Sequence, residues 1–273
     1  MAARLFHVFR NNPFGRETLL QSICFCKKVG ASLIIYIPKH KKFSMHFEND
    51  IVQIDLDGSY LTSPDTALKN TTEVAEKMGI RARFLDPKHY TTSILPDIQP
   101  DFDFMTCPRC ISDLSSKIGL GYLGPRVRRI IETARFPVLI TSPAYKKWER
   151  LSVFFDGSLN GVNALKLGFR ISRVSGFSVD VFTLRKNATR ESYEKVIEKN
   201  NLKKETNRRV NKWLIFEKEG FEENLYQVPH NALVILGASG QSRLKDIVFG
   251  NVMEKIQSAL PNNLLITGPN YTE

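Results

Sequence analysis

Two stretches of this 273-residue chain carry residue types and spacings suited to chemistry. The first is Gly237-Ala238-Ser239-Gly240, followed after nine intervening residues by Gly250-Asn251-Val252. Glycines have no Cβ, so their amides can approach a ligand closely and take positive φ. Gly250 and Asn251 open "VMEKIQSAL", which has helical spacing, and a helix start offers unpaired N–H groups and a positive dipole end to an anion. A phosphate chain is the natural occupant of such a cradle; plain turn chemistry is the competing reading. Arg243 and Lys245 lie in the same loop and carry charge that could neutralise phosphate. Asp156-Gly157-Ser158 follows the apolar run "LSVFF" and supplies a carboxylate able to accept from a ribose hydroxyl or to position an adenine edge. The second stretch is Cys107-Pro108-Arg109-Cys110. A Cys-x-x-Cys at a helix start can have a lowered thiol pKa and cycle through a disulfide. Zinc would need two further ligands, and inert thiols are the plain alternative.

The elements that must position these residues occur twice. "LFHVF" (5–9) and "LSVFF" (151–155) are short apolar runs of the buried-strand type, each followed by a turn and an apolar-periodic helix. Each helix stops at a glycine, Gly30 or Gly176, which suits a C-terminal cap. These glycines stand 146 residues apart. A second strand follows in each copy, "ASLIIYI" or "FSVDVFTL", the latter ending at Leu184. Near the far end come "DFDFMT" and "NALVIL", and the copies close on "RFPVLITSP" and "NNLLITGPN". Short connections between alternating strands and helices imply parallel sheets covered on both faces, an α/β fold. The boundary falls at 145/146. The first copy holds extra residues, largely in Lys39–Asp65, which reads as a polar, irregular loop. In open parallel sheets the ligand crevice lies beyond the carboxyl ends of the strands. Asp156, Leu184 and the glycine loop all fall there in the second copy.

Net charge is +11, from 39 basic and 28 acidic residues. Residues 185–212 hold ten basic and four acidic side chains, a stretch that could touch nucleic acid or an acidic partner. The signs alternate at helical spacing, which favours a solvated helix face and makes nucleic acid a poor candidate. No apolar run approaches the ~20 residues of a bilayer span, and the N-terminus lacks a signal-peptide pattern, so a cytosolic protein without a membrane partner is expected. His7 falls inside a strand and reads as a core residue.

The chain resembles a tandem universal stress protein, a family whose loop runs Gly-x2-Gly-x9-Gly-Ser/Thr. Gly237, Gly240, Gly250 and Asn251 match that spacing, with Asn in place of the hydroxyl residue, and "FFDGSLNGVNALKLG" resembles the family's first strand, turn and helix. The likeness implies two Rossmann-like domains of the adenine nucleotide alpha hydrolase-like kind, each a mostly parallel five-stranded sheet flanked by helices. It implies dimer-like packing of the two domains within one chain, with a homodimer as the alternative. It also implies ATP or another adenine nucleotide, with or without Mg2+, as ligand. Asp156, Gly157, Ser158 and the backbone at Leu184 would then serve adenosine, and Gly237, Ala238, Ser239, Gly240, Gly250, Asn251 and Val252 the phosphates. No base stands ready to activate water, so a regulatory, largely non-catalytic role follows.

The first copy lacks the loop. Cys107-Pro-Arg-Cys110 replaces the glycines, Pro125 stands where Asn251 stands in the other copy, and the Asp-Gly-Ser turn has become "RNNPFG". A nucleotide is not expected there. Two further functions stay open: a nucleotide-free interaction module with a basic surface, and a redox-responsive protein working through Cys107 and Cys110.

Overall fold

The computed structural model describes residues 2–48, 50–92, 95–109, 111, 123–185, 188–217, 221–238, 255, 256 and 258–273. The chain divides into two compact units, one ending at Lys147 and the other beginning at Trp148.

In the first unit β1 (Arg4–Val8) leads into α1 (Pro13–Val29) and β2 (Ser32–Tyr36). Local chemistry sets the limits of α1. The Asn12 side chain accepts from Gly15 N at 2.7 Å, Pro13 occupies the first turn where no donor is missed, and Gly30 closes the helix in the left-handed region at φ 67°. Next come β3 (Lys42–Phe47) and β4 (Asp50–Asp55), α2 (Pro64–Lys77), and β5 (Ala82–Leu85). They are followed by β6 (His89–Thr92), β7 (Leu95–Ile98), β8 (Phe104–Cys107), α3 (Pro125–Thr133) and β9 (Val138–Ile140). The strands β9-β8-β1-β2-β5 lie side by side in that order, all parallel.

The segment read from sequence as an irregular loop is ordered. β3 and β4 pair antiparallel from Lys42–Asp55 to Phe47–Asp50, and with β7 and β6 they form a separate four-stranded sheet. The reason is visible in the strand: Val52 and Ile54 are buried while Ile51 and Gln53 face out, a period of two masked by the charged flanks. α3 packs against this sheet through charge. Arg126 Nη2 donates to Asp55 at 2.7 Å and Arg129 Nε to Asp50 at 2.5 Å. The Arg129 guanidinium holds the Asp50 carboxyl below its usual range. The basic run at the start of this helix is therefore tied to the chain itself.

The second unit comprises β10 (Arg150–Phe154), α4 (Leu159–Ser175), β11 (Val179–Leu184), α5 (Arg190–Lys199), α6 (Lys203–Arg209), β12 (Val210–Phe216), β13 (Ala232–Gly237) and β14 (Leu264–Thr267). Its strand order, β12-β11-β10-β13-β14, is again all parallel. Counted within each unit, both sheets read 3-2-1-4-5, the doubly wound order whose crevice opens at the carboxyl ends beside the first strand. β13 and β14 are buried almost throughout, as strands covered on both faces must be. α4 sits close on the sheet because Gly168 has no side chain; a Cβ there would stand 2.6 Å from Val153 Cγ2. Buried Asn262 ties the chain before β14 to the start of β13, its Nδ2 donating to the carbonyls of Pro229 (2.9 Å), His230 (3.2 Å) and Ala232 (2.8 Å). Among the described residues no helix is long and apolar enough to cross a membrane.

Candidate functional site

Register brings three of the sequence-selected positions into one row. Phe154 lies opposite Phe182 on β11 and Leu236 on β13. Counted two residues on from these last paired positions, Asp156 falls at the level of Leu184 on one side and Ala238 on the other. These are the carboxyl ends of the first, second and fourth strands, where the sheet order opens its crevice.

The first turn of α4 joins the two sides of this row. Asp156 Oδ1 accepts from Ser158 N at 3.0 Å and from Ser158 Oγ at 2.6 Å, and Ser158 Oγ in turn accepts from Gly161 N at 3.1 Å. Ser158 thus caps the helix while locking the Asp156 carboxylate at the head of it. Gly157 makes the turn possible at φ 77°, against the buried ring of Tyr193. From the other side, the Asn160 side chain donates to the Ala238 carbonyl.

Two further glycines have steric duties here. A Cβ on Gly161 would lie 2.5 Å from Asp156 Oδ1, and one on Gly237 would lie 2.5 Å from the Asn160 carbonyl carbon. Gly237 is therefore explained by the close passage of β13 past α4. The Ala238 N–H is also engaged, donating to Thr267 O at 2.8 Å. Both backbone groups of Ala238 are satisfied inside the protein. The remaining loop positions, Ser239, Gly240, Gly250, Asn251 and Val252, lie outside the described residues, as do Arg243 and Lys245. Sequence reasoning missed Asn160 and Tyr193 as parts of this site; the position of Asn160, in the first turn of the helix after Asp156-Gly157-Ser158, was the available signal.

The first unit lines the same place differently. At the 146-residue offset Arg10 stands where Asp156 stands, a reversal of charge. Arg10 Nε donates to Ser59 Oγ at 2.7 Å and Nη2 to Asp57 at 3.1 Å, and the guanidinium lies over the Tyr60 ring at 5.0 Å. Asn11 N donates to Ser59 O at 2.7 Å. A short 3-10 turn, Gly58–Tyr60, from the segment after β4 thus covers the end of β1.

Cys107 ends β8 fully buried, and burial pushes its thiol pKa well up. A thiol in that state is a poor nucleophile, the opposite of a lowered redox thiol. Cys110 lies outside the described residues. Cys24 and Cys26 are buried in α1, with Cys26 pushed up to about 12 by desolvation. Around α5 and α6 three of the seven basic side chains meet a carboxylate. Arg190 meets Glu194 at 3.0 Å, Lys203 meets Glu198 at 2.5 Å, and Arg209 meets Glu205 at 2.5 Å.

No protein-family model matches the sequence, and no curated protein is similar to it. Solved structures are similar in fold. A universal stress protein from Archaeoglobus fulgidus superposes with a TM-score of 0.60 at 14% identity, over 97% of this chain and 98% of that one. This chain folds as the universal stress proteins do. A candidate universal stress protein from Pseudomonas aeruginosa UCBPP-PA14 matches at TM-score 0.56 and 10% identity over 98% of this chain and 94% of that one. A functionally unknown protein from Pseudomonas aeruginosa PAO1 gives 0.60 at 9% identity, over 98% and 93%. The first unit of this chain differs from the second by its four-stranded insertion and by Arg10 in the place of Asp156.

Proposed function

We propose that the protein is a tandem universal stress protein whose second unit binds ATP or a related adenine nucleotide, with or without Mg2+, in a regulatory, largely non-catalytic role. One observation supports it above the others: Asp156 and the exit of β13 converge on the first turn of α4, with Leu184 level beside them. A carboxylate at the sheet's crevice next to a glycine-spaced loop is the arrangement an adenosine phosphate requires.

The residues divide the work. Asp156, oriented by Ser158, addresses the adenosine together with the backbone at Leu184. Gly237 and Ala238 shape the exit of the strand, since the one packs on Asn160 and the other has its N–H and carbonyl engaged. Phosphate binding then rests on the amides at Gly240, Gly250, Asn251 and Val252. Bound triphosphate adds charge at this loop, and the signal is occupancy rather than turnover. In the first unit Arg10 and its partners take the carboxylate's place, so that unit serves as the scaffold of the pair.

Titration of the whole protein with a fluorescent ATP analogue, with unlabelled ATP and AMP as competitors, tests this. Saturable, competed binding that Gly240→Val abolishes is expected, with circular dichroism confirming that the variant is folded. No saturable binding, or equal binding by wild type and Gly240→Val, refutes the nucleotide reading. Mass spectrometry of the native, undialysed protein gives an independent check through any co-purified nucleotide.

A further inference from the structure

The described residues expose eight large hydrophobic side chains, and three of them, Leu68 (44% exposed), Phe84 (36%) and Tyr90 (45%), line one cleft of the first unit. The cleft lies beyond the carboxyl ends of β2 and β5, one strand outward from the end of β1 that Arg10 covers. Its wall on one side is Tyr90 of β6, an element of the inserted sheet with no counterpart in the second unit. Clustered exposed apolar side chains are uncommon on a protein surface and mark contact sites when they meet in a concavity.

Size and polarity narrow the occupant. The cleft encloses about 210 Å³. A cavity of roughly 150 Å³ takes benzene, so this one has room for a somewhat larger ring system. It falls short of the roughly 300–1,000 Å³ of ordinary ligand pockets, which excludes a nucleotide. Tyr36 is 2% exposed and also lines the cleft. Its ring is held edge-on to Phe43 at 5.4 Å, which fixes where its hydroxyl lies. A phenol hydroxyl on the wall of a cleft can give one hydrogen bond to whatever enters. Formal charge at the cleft disfavours an anion: Lys39 pairs with Asp86 at 3.5 Å, and Asp65 adds a second carboxylate to the lining.

We propose that this cleft binds a small neutral aromatic molecule of phenol or indole size, its ring against Leu68, Phe84 and Tyr90 and its single polar group hydrogen-bonded to the Tyr36 hydroxyl. The site is independent of the nucleotide reading, because it lies in the other unit and uses none of the same residues.

Indole is the probe, titrated into the full-length protein by calorimetry and by ligand-observed saturation-transfer NMR. Saturable one-to-one binding is expected. Leu68→Trp, at an exposed helix position, fills the cleft and should weaken binding by roughly tenfold or more, about the loss of one well-buried ring contact. Tyr36→Phe keeps the shape but removes the hydroxyl, and should weaken it about two- to tenfold, as loss of one net hydrogen bond does. Should Leu68→Trp disturb the circular dichroism spectrum, Tyr90→Ala replaces it, with a weakening of similar size expected. Indole that fails to saturate, or that binds the Leu68 or Tyr90 variant as tightly as wild type, overturns the proposal. So does a cleft that ignores indole and takes only a tryptophan-bearing peptide, which would make it a docking point for a partner protein.

Discussion

His7 makes the first unit sensitive to acid, by an amount the structure lets one work out. The ring lies in the middle of β1 and is 1% exposed. Its Nδ1 is 3.0 Å from Ser22 Oγ on α1, and Ser22 Oγ lies 2.9 Å from Thr106 Oγ1 on β8. Its Nε2 is buried with no hydrogen-bond partner. Proton on Nδ1, donated to Ser22, leaves Nε2 as a bare acceptor; protonating Nε2 would place an unpaired charge in the core. Burial accordingly pushes the His7 pKa down to about 3. The sign follows directly. In the unfolded chain the ring gains a proton near its ordinary value, about 6.5, so acid favours unfolding. The neutral ring's contribution is complete above that pH and is lost as the pH falls towards the folded value. At pH 5 the loss is about 2 kcal/mol, rising to about 4–5 kcal/mol at pH 3. For a unit of this size 2 kcal/mol is worth about 4–8 °C in midpoint.

His7→Val isolates the effect, because Val153 occupies the same place in the second unit. Thermal melts by circular dichroism at pH 7.5 and 5.0 should show the wild type losing several degrees more than His7→Val. Trp148 and Trp213 both belong to the second unit, so tryptophan fluorescence provides a control transition on which the substitution has no effect. A His7 ring that titrates near 6.5 by NMR, or equal acid losses in wild type and variant, refutes the reasoning.

Gly237→Ala places a Cβ against Asn160 and should destabilise the second unit by about 1–3 kcal/mol, read as a lower denaturation midpoint in tryptophan fluorescence. An unchanged midpoint means that α4 and β13 are not so closely packed. Asn262→Ala leaves three carbonyls without their shared donor and should cost about 1–3 kcal/mol by the same measurement. A thiol reagent should label Cys107 and Cys26 only after denaturation, as peptide mapping will show; rapid native labelling of Cys107 would revive the redox reading. Arg10→Ala removes both side-chain bonds to the Gly58–Tyr60 turn and should raise hydrogen exchange at Asn11 and Ser59 without affecting the second unit.

How much could be read beforehand varies by element. Gly30 and Gly176 were legible as helix stops because a left-handed residue after a run of helical spacing is a local requirement. The carboxyl-edge position of Asp156 was legible for a similar reason, as it directly follows an apolar strand. The hairpin β3–β4 was misread, since charged residues at Asp50 and Asp55 concealed the alternation of Val52 and Ile54. The duties of Gly237 were assigned to a ligand when close passage of Asn160 already demands them. Arg10 at the offset of Asp156 is visible in the sequence, but its partners at Asp57 and Ser59 lie more than forty residues away.

By itself the sequence determined the first, second, fourth and fifth strands of each parallel sheet, the glycine stops of α1 and α4 and the repeated order of these elements, because propensity, capping and burial period act between residues a few positions apart. Only the tertiary structure decided that Cys107 is sealed in the core, that Arg10 is bound beneath a turn of its own unit, and that Leu68, Phe84 and Tyr90 share a cleft. Each of those outcomes depends on which distant segments are brought together, and that depends on the order of strands in the sheet, which no local pattern encodes.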